Sequence, residues 1–186
     1  MKTLFVKQTC LILLASFVLV FPAHSFDGNR KGLVAGFGLG LSPYASWHGE
    51  SGLEETNTGK AFKLLIGYGL DEKNVLALEM LGIYMESDIL NNGLIIQGLS
   101  GLNWYHFYTE SSEIAFFNSF GIGVIPFVTE SSPIGGRGLG GKLGAGIEFK
   151  RYFQFELNYV FGSTSSIDNF KTNHSVFTVL VTVFAF

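Results

Sequence analysis

Gly136-Arg137-Gly138-Leu139-Gly140-Gly141-Lys142 carries the glycine and lysine spacing of a phosphate-binding loop, where backbone amides cradle phosphate oxygens and the lysine reaches the terminal ones. That chemistry needs a hydroxyl for magnesium directly after the lysine, and a helix beginning there. Leu143 has no hydroxyl and a strand-like alternation follows, so the stretch reads as a loop running into a row of glycines. His174-Ser175, beside Asn173, brings a base and a nucleophile together in sequence, as a hydrolase requires. Neighbours on a strand point to opposite faces, so this pair shares a site only if the strand bulges. His48 falls in a loop and His106 near a short turn, and both read as solvated. The only cysteine is Cys10, and the scattered histidines have no metal-ligand spacing.

Cys10 belongs to an N-terminal segment, Met1–Ser25, with the three parts of a secretory signal: Lys2 and Lys7, then apolar Leu11 to Phe21, then Ala23-His24-Ser25. Cleavage is expected before Phe26. The apolar stretch is shorter than the ~20 residues of a spanning helix, which disfavours an uncleaved anchor. Lys7-Gln8-Thr9 stand where a lipid-attachment motif would carry small and apolar residues, so Cys10 is not a lipoprotein cysteine. Phe26–Phe186 is one domain long. Removing Lys2 and Lys7 from twelve basic residues leaves ten against fifteen acidic, a net charge of −5. No basic patch calls for nucleic acid. The chain holds 24 glycines and 19 phenylalanines with 47% hydrophobic residues, and no mature apolar run reaches helix-spanning length. A membrane barrel shows such aromatics to lipid, while small and polar residues face its lumen.

Read at a period of two, the mature chain divides into eight segments. Leu33, Ala35, Phe37, Leu39 and Leu41 oppose Gly32, Val34, Gly36, Gly38 and Gly40. Phe62, Leu64, Ile66, Tyr68 and Leu70 oppose Ala61, Lys63, Leu65, Gly67 and Gly69. Leu76, Leu78, Met80 and Tyr84 oppose Ala77, Glu79 and Leu81. The fourth segment, about Ile95 to Phe107, sets Leu102 and Trp104 against Asn103 and Tyr105. Phe120, Ile122 and Val124 oppose Ser119, Gly121 and Gly123, and Leu143, Ala145, Ile147 and Phe149 oppose Lys142, Gly144, Gly146 and Glu148. The seventh alternates strictly, Phe153 to Phe161 against Gln154, Glu156, Asn158 and Val160. The eighth, about His174 to Phe186, is rich in β-branched residues, with Thr178 and Thr182 on its lipid phase.

Connections alternate in length. Asp71 to Asn74, Tyr108 to Ser112 and Lys150-Arg151 are short, whereas His48 to Gly59, Glu86 to Gly93, Pro126 to Gly138 and Gly162 to Asn173 are longer and polar. Such asymmetry is that of bacterial outer-membrane barrels, whose short turns are periplasmic. The predicted fold is therefore all-β, an antiparallel up-and-down transmembrane barrel of eight strands. A soluble sandwich or lipocalin-like barrel would place its large apolar residues inside, the reverse of this pattern. A removable C-terminal tail for a glycolipid anchor, with attachment near Ser163, would leave seven alternating segments without a purpose.

Lys63, Glu79, Lys142, Glu148 and Glu156 all fall in the lumen phase. A charge buried alone is costly, so their agreement across strands predicts a paired polar network. Strand height puts both lysines within side-chain reach of Glu79 and Glu156, so the four are expected to share one network, in which Lys63 is matched with Glu79 and Lys142 with Glu156. An eight-stranded barrel is just wide enough for side chains to fill it, so such a network would plug rather than conduct.

The layout resembles the small outer-membrane barrels typified by the transmembrane domain of outer membrane protein A and by outer membrane proteins X and W. The final strand ending at Phe186 is similar to the terminal signal that the barrel assembly machinery recognises in that group, and Gly101-Leu102-Asn103-Trp104-Tyr105 looks like a fourth-strand segment of W-like members. The resemblance implies outer-membrane lipids and the assembly machinery as partners, and no cofactor. It implies a non-enzymatic barrel serving envelope integrity or surface contacts through its loops, with a narrow path for small hydrophobic molecules as the alternative. Lipid A deacylase barrels resemble the chain in size, but their chemistry needs a His and Ser on one face.

Overall fold

The computed structural model describes residues 30–50, 52–87, 93–109, 113–129, 136–165 and 171–186. The leader Met1–Ser25 and its cleavage point lie outside them. Eight strands, β1 (Gly32–Gly49), β2 (Glu54–Gly69), β3 (Asn74–Ser87), β4 (Gly93–Phe107), β5 (Ile114–Thr129), β6 (Gly136–Phe149), β7 (Phe153–Ser165) and β8 (Lys171–Ala185), pair each with the next. β8 also pairs with β1, so the sheet closes on itself and no strand is left as an edge. The outer wall is apolar: Leu39 on β1, Ile66 on β2, Leu78 on β3, Ile122 on β5 and Phe155 on β7 are all exposed. Aromatic side chains flank the belt at both ends, as interfacial girdles do. Tyr44, Phe177 and Tyr159 stand opposite one another across β1, β8 and β7 at one end. At the other, the Trp104 indole N–H donates to Asn74 Oδ1 at 3.1 Å.

The short connections are tight for identifiable reasons. Lys150 and Arg151 have φ of 50° and 63°, and the Tyr152 amide donates to the Phe149 carbonyl at 3.2 Å. Two positive φ values in succession make the type I′ turn whose twist suits a hairpin. Asp71 Oδ1 accepts the amides of Lys73 and Asn74, both at 2.7 Å. The Asn74 side chain, and then the Lys73 amide, hold the Asp71 carboxyl below its ordinary range.

Seven of the eight segments present the faces read from their alternation. The eighth is reversed: Thr178 and Thr182 are fully buried with Leu180 and Phe184, while Val181 and Val183 face outward. Both faces of β8 are apolar or β-branched, so its own pattern lacks contrast. Pairing decides the phase, because Asn158 lies opposite Thr178 and Gln154 opposite Thr182.

The long connections also need correction. β1 and β2 run on to Gly49 and back from Glu54, leaving 50–53 as the connection, and Pro126 and Gly138 are strand residues. What reads as loop is hairpin extending past the apolar belt, where hydropathy contrast fades while pairing continues. Within β1 a bulge between Ser42 and Ala45 contains Pro43. Proline is tolerated there because the ladder is already interrupted. The Ser42 hydroxyl lies 2.9 Å from the Tyr44 carbonyl and 2.8 Å from that of Phe177, within donating reach of either. The bulge exchanges the two faces, so beyond it Ala45 and Trp47 point inward.

Candidate functional site

The interior is filled at several levels. At the short-turn end Val34, Val75, Phe107, Phe117, Phe184 and Phe186 belong to one apolar cluster, and towards the other end Trp47, Leu81, Ile83, Ile95, Leu99 and Phe127 belong to a second. Glycines on the strands make room for this filling. A side chain at Gly146 would meet the Phe117 ring, and one at Gly140 the Ile125 side chain.

Between the clusters the structure brings together four of the five charges singled out above, all buried. Lys63 pairs with Glu156, whose Oε1 also accepts from the Thr182 hydroxyl at 2.5 Å. Lys142 pairs with Glu79 at 2.5 Å, and the Tyr105 hydroxyl donates to the other oxygen of that carboxylate. The four residues of the expected network meet, with the matching of lysine to glutamate exchanged. Lys63 reaches from β2 to β7 and Lys142 from β6 to β3, because the narrow interior brings the tips of long side chains from opposite walls into contact. The Tyr105 ring joins the two pairs, its centroid 5.5 Å from Lys63 Nζ and 5.2 Å from Lys142 Nζ.

Glu148 stands apart, nearer the short-turn end. Its partner is Arg30, whose Nε and Nη2 donate to Oε1 at 3.1 and 2.6 Å, and Gln154 donates to Oε2 at 2.9 Å. Arg30 also donates to the carbonyls of Glu72 (2.7 Å) and Thr109 (3.0 Å) and lies 4.1 Å over the Phe107 ring. It is fully buried, a stopper inserted ahead of β1. Among the described residues the buried charges are Arg30, Lys63 and Lys142 against Glu79, Glu148 and Glu156, a balanced set. Sequence reading missed Arg30, since a basic residue in Asn29-Arg30-Lys31 looks like a solvated lead-in. Thr182 was missed through the inverted phase of β8. Tyr105 lay on the correct face but had no signal marking it as the bridge.

His174 is buried near the second cluster. Nδ1 lies 2.9 Å from Gln97 Oε1 and Nε2 lies 2.9 Å from Thr164 Oγ1. A neutral ring protonated on Nδ1 satisfies both contacts, with the threonine hydroxyl donating to Nε2. Ser175 faces outward, its hydroxyl 2.8 Å from that of Tyr159, and β7–β8 pairing runs unbroken through both positions. Base and nucleophile are therefore on opposite sides of the wall. Lys142, the lysine of the glycine-rich stretch, points into the lumen and is committed to Glu79. His48 is exposed and bonds Glu54 at 3.0 Å, and His106 Nδ1 lies 3.0 Å from Asn74 Oδ1. No group of three or more metal-ligating side chains occurs among the described residues.

A closed antiparallel barrel with an apolar outer belt and a polar, ion-paired interior is the fold of the small eight-stranded outer-membrane barrels. Among solved structures the chain is similar to Neisserial surface protein A, at 10% identity over 82% of this chain and 97% of that one, with a TM-score of 0.57. It is also similar to Ail, the attachment invasion locus protein of Yersinia pestis, at 14% identity over 84% and 99% of the two chains (TM-score 0.47). For the outer membrane protein OprG from Pseudomonas aeruginosa the figures are 14%, 86% and 98%, with a TM-score of 0.42. At these identities the likeness is one of fold. No protein-family model matches the sequence, and no curated protein does.

Proposed function

We propose that the protein is a non-enzymatic, non-conducting barrel of the bacterial outer membrane that strengthens the envelope and presents its long hairpins outside the cell. The observation that carries this reading is the closed interior. Two apolar clusters lie on either side of the central ion pairs, and Arg30 stops the short-turn end. An ion following the axis would have to displace both clusters as well as the salt bridges. The terminal strand ending at Phe186 is the segment offered to the assembly machinery, and Met1–Ser25 is removed during export.

Conductance across planar bilayers tests the reading. The refolded mature chain is expected to show no steady channels, and so is the variant Lys63→Met/Glu156→Gln, because the apolar clusters remain. Sustained single-channel currents from the unsubstituted protein would overturn the proposal in favour of a transport path.

A further inference from the structure

The outer wall over β3–β7 is not smooth. Gly141, on the outward phase of β6, lies in the floor of a furrow of about 630 Å³, bounded by Trp104, Phe120, Ile122, Leu139, Leu143 and Phe161. Phe161 lies across from Gly141, and its ring forms one bank where a side chain at that position would otherwise stand. A saturated chain of about fourteen carbons occupies roughly 400 Å³ at the liquid-like densities of apolar matter, so the furrow accommodates one acyl chain.

One outward position beyond Leu139 on β6 is Arg137, about 7 Å further along the strand. Ser165 on β7 lies opposite Arg137, and Lys171 on β8 lies opposite Ser165. Two strand spacings put the Cα atoms of Arg137 and Lys171 about 10 Å apart, a span that two long side chains can bridge. Both are exposed and neither makes an ion pair with a described residue; the neighbouring Glu50 donates its backbone amide to the Lys171 carbonyl at 3.1 Å. Ser163 is exposed on the same face, opposite Leu139. Arg137 and Lys171 thus stand past the apolar belt, at the level of lipid headgroups, with the furrow leading up to them.

We propose that this wall is a binding site for a phosphorylated glycolipid of the outer leaflet, with the phosphate held between Arg137 and Lys171 and one acyl chain in the furrow. The inference rests on the outer-membrane reading above. Charge complementarity selects the occupant. Arginine and lysine reaching from two strands suit a tetrahedral phosphate, and the exposed serines supply further hydrogen bonds. A second copy of the chain would set the same two cations against each other across a two-fold interface.

The test is native mass spectrometry of the refolded barrel in zwitterionic detergent, titrated with diphosphoryl lipid A. One lipid should bind in the tightest step. Arg137→Gln/Lys171→Gln should weaken it by about 30-fold, the weight of two basic residues at an anionic lipid surface. Lys60→Gln, on the outward phase of β2, should leave it unchanged. Dephosphorylated lipid A should bind the unsubstituted barrel as weakly as diphosphoryl lipid A binds the double variant. Equal binding by the double variant, or equal loss in Lys60→Gln, would overturn the site. Competition by inorganic phosphate or by the deacylated headgroup, as strong as by lipid A itself, would assign the cations to a soluble anion instead. Heat-dependent gel mobility confirms that each variant is folded. Failure of the outer-membrane reading would show separately, as absence of the protein from outer-membrane fractions.

Discussion

Each buried charge in the lumen is tolerated because an opposite charge meets it, and the identity of the partner is testable. Removing one member leaves the other uncompensated, at a cost of about 3–5 kcal/mol, whereas removing both leaves a neutral interior and costs less. Double-mutant cycles on unfolding free energy should therefore give strong coupling for Lys63→Met with Glu156→Gln and for Lys142→Met with Glu79→Gln. The cross-combinations, Lys63 with Glu79 and Lys142 with Glu156, should couple more weakly, acting only through the shared Tyr105 ring and longer-range charge. The reverse order of coupling would mean that the lysines reach neighbouring rather than opposite walls. Asn103, Ser119, Asn158 and Thr178 each bury side-chain polar atoms that have no partner among the described residues. Groups of this kind are ordinarily satisfied by internal water.

At the scale of the element, β8 shows how a strand acquires its faces from its neighbours. Val179, Val181 and Val183 alternate with Thr178, Leu180 and Thr182, and neither set is polar enough to announce the lumen. Unbroken pairing with β7 turns the threonines inward, where Thr182 reaches Glu156. Substituting Val181→Arg should destabilise the barrel by about 2–4 kcal/mol in a bilayer, the cost of a charge on the lipid face near the midplane. Thr182→Val should cost about 1 kcal/mol, the loss of one hydrogen bond to a charged group offset by the added methyl. No loss, or a gain, for Thr182→Val together with a loss below about 1 kcal/mol for Val181→Arg, the scale of a site off the lipid midplane, read from denaturant unfolding in vesicles, would return the threonines to the lipid face. The β1 bulge works similarly, since one irregularity moves Trp47 from the outer wall into the second apolar cluster.

For the whole molecule, closure of the ladder from β1 to β8 makes the barrel resistant to detergent, so the unheated protein should run faster than the boiled one on a gel. Orientation follows from the unequal ends. Hairpins such as β1–β2 rise well past the aromatic girdle, whereas the turns at 70–73 and 150–152 close immediately. Single cysteines at Thr56 and Ser165 should react with an impermeant thiol reagent on intact cells, and those at Lys73 and Lys150 only after the envelope is opened. The opposite labelling pattern would invert the barrel in the membrane.

Class and strand number were legible in the sequence because a membrane barrel must alternate lipid-facing and lumen-facing residues, and strands such as β7, with Glu156 between Phe155 and Leu157, admit one phase only. The same logic placed Lys63, Glu79, Lys142, Glu148 and Glu156 inside. Which charge meets which was decided by the tertiary structure, since a closed barrel brings strands distant in sequence to face one another across a narrow axis. Lys63 thereby finds a partner 93 residues away and Arg30 one 118 residues away. The phase of β8 and the extent of the hairpins also awaited the fold. Where both faces of a strand are alike, or both meet water, alternation carries no information, and only hydrogen-bonded pairing with the adjacent strand sets which way each side chain points.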